Sequence, residues 1–389
     1  MSVLVPRGFV ASGVAAGIKA DQQLDLALVA TEGSCLAAAG AVFTSNLLAA
    51  APVQVCRAHL SESGGMSAGV VLNSGCANAA TGAPGREHAE LTCRLAAEAL
   101  GVRPEQVLVC STGTIGIPLD MTSIASAMPL LVSGRGSSPE CAKAAASAIL
   151  TTDTRTKEVV VESDGFVVGG MAKGAAMLAP NMATMLAVLT TDASASPARL
   201  RAALRAAVDH SFNEMTVDGC MSTNDSVIVM ASGLGAEASE QALTEAFTAG
   251  CGELASQMVA DAEGGSKVVR VRVVGAADSE SARTAVRRVA ESQLVKSSWC
   301  GEDANWGRIV SELGSAGTPF DPDRVSVSYG KVTVCRNGVA VAHDQAALTR
   351  VLAATQFEIT CDLGLGAGSA TMVSADLTPL YVELNMGRS

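Results

Sequence analysis

The chain has 389 residues, of which 49% are hydrophobic and only 3% aromatic, and it carries a formal net charge of −11. That length exceeds one ordinary hydrophobic core, so two lobes or a large duplicated α/β unit are expected, packed with Ala, Val, Leu and Met side chains. The acidic balance and the lack of any basic run longer than two residues exclude a general nucleic-acid binder, because counterion release needs clustered Lys and Arg.

Eleven cysteines, an odd number, show no CxxC and no Cys/His metal spacing. Free thiols in a reducing cytosol are expected, without a metal centre or a disulfide framework. The opening MSVLVPRGFVASGVAAGIKA has Pro6 and Arg7 inside its apolar part and no basic start, which argues against a signal peptide. Residues 33–56 and 174–191 are long and uncharged enough to raise the question of membrane spans. Asn46, Pro52 and Gln54 interrupt the first, Pro180 and Asn181 the second, and both read as buried strands and turns.

In chain order, residues 1–83 read as short strands punctuated by Gly and Ser, including LDLALVA (24–30), AAGAVFT (38–44) and AGVVLNSG (68–75), which predicts an extensive, partly antiparallel sheet. GMSAG (65–69) matches the GxSxG nucleophile elbow in form, but that motif needs strand, turn and helix, whereas here a strand follows the serine. A helix is predicted over Glu87–Leu100 with Gly101 as its stop. The strand VLVCST (107–112) then enters TGTIG (112–116). A glycine placed there is either a plain turn or a way to point paired backbone amides outward, as an oxyanion requires. A helix over roughly 139–150 delivers LTTDTRTK (150–157), whose Thr151, Thr152 and Asp153 can satisfy the helix terminus. The strands KEVVVES and FVVGGMA follow.

The central stretch MAKGAAMLAPNMATMLAVLTTD (171–192) holds a lone Lys173 among small residues, then Pro180-Asn181, then the apolar run Met185–Leu189, which reads as a buried strand. Thr184 stands at the start of that strand. Two readings are open for it: a residue that caps the turn, or a nucleophile. No histidine lies within twenty residues. The economical base is the threonine's own α-amine, freed by a cut between Ala183 and Thr184, since a group with pKa of about 7.7–8.0 accepts a proton near neutrality.

Beyond it, 196–212 is predicted helical with Ser196 as N-cap and Pro197 next, and NEMTVDGCMSTNDSVIVMASG (213–233) is a polar loop feeding a strand. A helix over 239–262 ends near Glu263, an anion placed against the macrodipole. This suggests function, although an exposed glutamate there costs little. After a helix at about 278–293, LVKSSWCGEDANWGRIVSELG (294–314) carries both tryptophans; Asp303 is the expected cap of the next helix, with Trp306 and Arg308 in packing and ion pairing. The remainder reads as strands: VSVSYG, KVTVCRNG, FEITCDLG, SATMVSAD and LYVELN. No period of 20–50 residues appears, so a solenoid is excluded.

The run KGAAMLAPNMATMLAVLTTD resembles the self-processing signature of the ornithine acetyltransferase family, bifunctional glutamate N-acetyltransferases of arginine biosynthesis. The resemblance extends through LNSGCANAATG, TGTIG, LTTDTRTK, DGCMSTND and CGEDANWGR. It implies an α/β (α+β) fold of layered sheets flanked by helices, of the N-terminal-nucleophile-like kind. It also implies autocatalytic cleavage at Ala183/Thr184 into an alpha chain (1–183) and a beta chain (184–389) that form one interlocked unit, two of each in a heterotetramer. Thr184 would carry the acetyl group from N2-acetyl-L-ornithine to L-glutamate in a ping-pong reaction, with Thr112 and Gly113 as the oxyanion hole. Thr151, with Thr152 as the second choice, Lys173, Thr184, Glu263, Asn385 and Ser389 would contact the substrates. Lys173 suits carboxylates and Glu263 ammonium groups, the sequence leaving open which charge each meets. The implied setting is cytoplasmic, with small amino acids as partners, no nucleic acid, no membrane and no metal or organic cofactor.

Acetyl-CoA as a second donor is left open. GLGAG (364–368) lacks the spacing of a nucleotide loop. Two departures from the family pattern stand out: Ala176 replaces a usual glycine, and the tail NMGRS keeps Asn385 but lacks a tyrosine and places Ser389 one position short. A processed threonine with water as acceptor would instead make an amidase or aminopeptidase, and an uncut chain a metabolite-binding protein.

Overall fold

The apolar runs become strands covered on both faces, and the alternating runs become strands covered on one. The computed structural model describes residues 2–20, 22–179 and 185–386. They divide into two units, one of residues up to 213 together with 220–258, the other of residues 214–219 and those from 259 onward.

The first unit holds two sheets. One has the strand order Phe9–Val14, Leu26–Thr31, Gly69–Asn73, Val107–Ser111, antiparallel except for its last, parallel pair. The other runs Met66–Ser67, Ala37–Phe43, Ser226–Ala231, Leu186–Thr191, Phe166–Lys173, Lys157–Ser163. Its parallel pair is Ser226–Ala231 with Leu186–Thr191, in which every residue is buried, as expected of central strands with both faces covered. Helix Pro139–Ala148 packs on Phe9–Val14 and helix Pro197–Asp209, capped by Ser196, on Ala37–Phe43. Small side chains allow that approach: a Cβ on Gly13 would lie 2.2 Å from Ala144 O. The scarcity of aromatics in the sequence thus corresponds to close helix-on-strand layers.

The second unit is built on a sheet ordered Met215–Thr216, Gly368–Ala375, Val268–Ala276, Gln356–Asp362, Ser326–Tyr329, Val332–Arg336, Val339–Ala340. In VVRVRVVGA, Val269, Val271 and Val273 are buried while Arg270 and Arg272 are exposed, the period-two pattern of a half-covered strand. Helix Ser279–Glu291, capped by Asp278, covers it.

The mixed α/β class with layered sheets is as expected, and so are two lobes, but several elements differ. The strands of residues 1–83 are shared between two sheets, and residues 51–62 form a helix, Ala51–Glu62, where strands and turns are expected. Pro52 sits in its first turn, where a missing N–H costs nothing. The helix predicted from Glu87 begins at Gly82. Helices Met121–Ser133, capped by Asp120, and Gln293–Cys300, capped by Ser292, have no counterpart in the expectations. LYVELN is helical, not a strand: Thr378 accepts from Tyr381 N and Pro379 occupies the first helical position. The cap of Trp306–Ser315 is Asn305, with Asp303 accepting from its side chain. Ser67 of the GxSxG match lies in a strand, its hydroxyl spent on Gly69 O and Gln106 O. All eleven cysteines are free thiols. Among the described residues no helix is long and apolar enough to cross a membrane.

Candidate active site

Two glycine loops flagged separately in the sequence interlock at the end of the four-stranded sheet. Thr112 N–H donates to Asn73 O (3.0 Å), Ala77 N–H to Thr114 O (2.9 Å) and Gly116 N–H to Ala79 O (3.0 Å). Gly113 lies at φ +130°, and a Cβ there would sit 2.3 Å from the carbonyl carbon of Gly75, so no other residue fits. The paired-amide arrangement is not what forms. The Thr112 amide is committed to Asn73, whereas the Gly113 amide has no acceptor at hydrogen-bond geometry among the described residues. The group of Thr112 left for other contacts is its hydroxyl.

That hydroxyl meets Lys173, the last residue of strand Phe166–Lys173. The buried ammonium donates to Thr151 Oγ1 (2.7 Å) and Thr112 Oγ1 (3.2 Å) and lies 3.9 Å from Asp153 Oδ2. A hydroxyl that accepts from an ammonium keeps its own proton to give elsewhere. Thr112, Thr151 and Lys173 are therefore brought together. Thr152, half-buried, has no polar partner among the described residues.

Asp153 organises this group, a role its position in the sequence does not reveal. The helix before it ends at Ala148, so it does not serve that terminus. Its fully buried carboxylate accepts from Lys157 Nζ (2.6 Å), Gly174 N–H (2.7 Å) and Thr151 N–H (3.1 Å). Burial opposes its ionisation, but the ammonium of Lys173, then that of Lys157, and the hydrogen bonds outweigh it and hold the carboxyl at about 2. Lys19, also missed, donates to Leu150 O (2.6 Å), beside Thr151; burial lowers its pKa against the pull of Asp25.

The STND run also meets these loops. Asn224 Nδ2 donates to Ala77 O (2.6 Å) and Ser111 O (2.8 Å). Asp225 Oδ1 accepts from Met185 N–H (2.8 Å), and burial pushes this carboxyl well above the usual carboxylate range.

In the second unit, Glu263 and Asn385 are brought together: Asn385 Nδ2 donates to Glu263 Oε2 at 2.8 Å, the glutamate being buried. Ala183, Thr184 and Ser389 lie outside the described residues. A surface cavity of about 540 Å3 is lined by Leu47, Leu48, Gln54, Thr81, Arg86 and Glu90 among others, and contains neither Thr112 nor Lys173.

The fold and site define a three-sheet α/β protein in which a buried cation and two threonine hydroxyls converge beside a glycine loop, a set of donors suited to developing negative charge. A family model described as the ArgJ family matches residues 10–387. The arginine biosynthesis bifunctional protein ArgJ of Symbiobacterium thermophilum is 46% identical, with 98% of this chain and 97% of that protein aligned. The protein of the same name from Thermobifida fusca is 43% identical over 100% of both. A solved structure of ornithine acetyltransferase complexed with ornithine, from Mycobacterium tuberculosis, is 42% identical, with 48% of this chain and 96% of that chain covered and a TM-score of 0.44. The chain belongs to the ArgJ family.

Proposed function

We propose that this chain is a bifunctional acetyltransferase of arginine biosynthesis, moving the acetyl group of N2-acetyl-L-ornithine to L-glutamate and releasing L-ornithine and N-acetyl-L-glutamate. The observation that carries the reading is 43–46% identity along the full length with proteins named arginine biosynthesis bifunctional protein ArgJ. Acetyl-CoA is the second acetyl donor that a bifunctional enzyme uses for glutamate.

The chain cuts itself between Ala183 and Thr184, and the freed α-amine takes the proton of the Thr184 hydroxyl as its oxygen attacks the acetyl carbonyl. The Gly113 amide and the Thr112 hydroxyl donate to the oxyanion, a contribution of about 10²–10³ in kcat per donor. Lys173 supports this by donating to Thr112 Oγ1, which aims the threonine proton away from the ammonium. Collapse breaks the acetyl C–N bond, and the departing amine of ornithine takes the proton held by the Thr184 amine. The neutral amine of glutamate then attacks the acetyl ester, the Thr184 amine takes its proton, and collapse breaks the ester C–O bond, that proton passing to the Thr184 oxygen as N-acetyl-L-glutamate leaves. Thr151, Thr152, Lys173, Glu263, Asn385 and Ser389 bind the two amino acids in turn, Lys173 complementing carboxylates and Glu263 ammonium groups. The fragments 1–183 and 184–389 stay together as alpha and beta chains, two of each, in the cytoplasm.

Intact mass under denaturing conditions with N-terminal sequencing tests the first step, and glutamate-dependent release of ornithine the second. Two fragments, the second beginning at Thr184, and turnover that requires glutamate are expected. A permanently uncut chain, or ornithine release indifferent to glutamate, overturns the reading.

A further inference from the structure

We infer that Asn224 and Asp225 are positioning residues that fix the spacing between the oxyanion loop and Met185, the residue that follows Thr184 in the sequence, an inference that rests on the proposed acyl transfer. Asn224 and Asp225 are consecutive and buried. Asn224 spends its amide group on carbonyls from two segments, Ala77 in the LNSGCANAATG run and Ser111 directly before Thr112. Asp225 accepts from the amide nitrogen of Met185, the atom bonded covalently to the carbonyl carbon of Thr184. One peptide unit thus ties together both segments that the chemistry needs.

The tie is rigid because its own backbone is held. Ser226 N–H donates to Met185 O (3.0 Å), Thr44 N–H to Asp225 O (3.0 Å) and the Thr44 hydroxyl to Ser222 O (2.8 Å). The parallel pairing opens at Ser226 with Leu186. Asp225 adds a side-chain acceptor one step before that first pair, where a strand end frays unless it is held. Its other oxygen, Oδ2, is buried with no hydrogen-bond partner among the described residues. Such an atom is costly as part of a carboxylate, and a carboxyl out of water keeps its proton. Positional control of this kind has large consequences, since about 1 Å of misplacement costs about 100-fold in rate.

The test compares Asp225→Leu, which keeps the shape and loses the acceptor, Asp225→Asn, which keeps the acceptor, and Asn224→Asp, which donates at most one of the two bonds. For each, self-cleavage is followed by intact mass, and kcat and KM for acetylornithine are measured per cleaved chain alongside the thermal midpoint. Asp225→Leu and Asn224→Asp should slow cleavage and lower kcat at least about 30-fold with KM within about twofold, while Asp225→Asn stays within about threefold of wild type. Folded Asp225→Leu or Asn224→Asp enzyme with wild-type kcat overturns the inference, as does a loss carried by KM. A tenfold or greater loss of kcat in Asp225→Asn overturns it too, because the carboxyl would then act as an acid or base. If Asp225→Leu does not fold, Asn224→Asp and Asp225→Asn decide. Thr184→Ala separates the two claims: activity surviving in that variant defeats the acyl-transfer reading itself, whereas an inactive Thr184→Ala beside a fully active Asp225→Leu defeats only the positioning role.

Discussion

Asp153→Asn removes one negative charge from a place where two ammonium groups converge. The carboxylate is fully buried, as is Lys157 at 2.6 Å, and Lys173 lies 3.9 Å from its second oxygen. Asparagine still accepts from Gly174 N–H but offers neither lysine a charge. A carboxyl held at about 2 instead of 3.8 favours the folded state by about 2–3 kcal/mol at neutral pH. Removing one partner of a buried pair costs about 3–5 kcal/mol, so a loss of about 3 kcal/mol is expected at pH 7. The pKa is depressed on folding, so this stabilisation is complete above the unfolded value and disappears as the pH falls through 2. The gap between parent and variant should therefore narrow by about 1 kcal/mol by pH 3. Urea unfolding in a Thr184→Ala background, where one uncut chain unfolds, measures both numbers. A variant within about 0.5 kcal/mol of its parent at pH 7, or a gap that does not change with pH, would refute the electrostatic account.

Gly113→Ala adds a Cβ that the Gly75 carbonyl carbon would meet at 2.3 Å, at a φ alanine rarely adopts; kcat should fall at least about 100-fold in steady-state assays. Lys173→Ala and Glu263→Ala should each lower kcat/KM by about 10–100-fold with self-cleavage intact by mass, and unchanged kinetics in both would remove them from the site. Asn385→Ala breaks the hydrogen bond to Glu263 and should raise KM about fivefold, read from the glutamate and acetylornithine titrations.

Most strands were legible because burial on one or both faces writes itself into the sequence as alternation or as an apolar run, as in VVRVRVVGA and LAVLTT. LYVELN was not, since six residues of mixed character fit either period; the discriminating signal was the preceding Thr378-Pro379, an N-cap followed by a first-turn proline. Ala51–Glu62 was hidden for a similar reason, its Pro52 reading as a break when it marks a beginning. Within the site, Thr112, Thr151 and Lys173 were named from a motif, but their common geometry depends on Asp153. A carboxylate between two threonines says nothing about lysines 4 and 20 residues away until the strands that carry them are paired. The same holds for Asn224 and Asp225, whose partners come from three separate segments.

The strand order of the six-stranded sheet has a mechanical consequence for a severed chain. Ser226–Ala231 and Leu186–Thr191, from beyond position 184, lie side by side between Ala37–Phe43 and Phe166–Lys173, which come before it. A cut at 183/184 would end covalent continuity without creating a separable piece, because pulling the pair out means opening ladders on both flanks at once. The two polypeptides would then be partners for life. Differently labelled enzyme preparations mixed after cleavage would form no hybrid alpha–beta pairs, dilution would not part the two fragments, and either half made alone would present raw edges that invite aggregation.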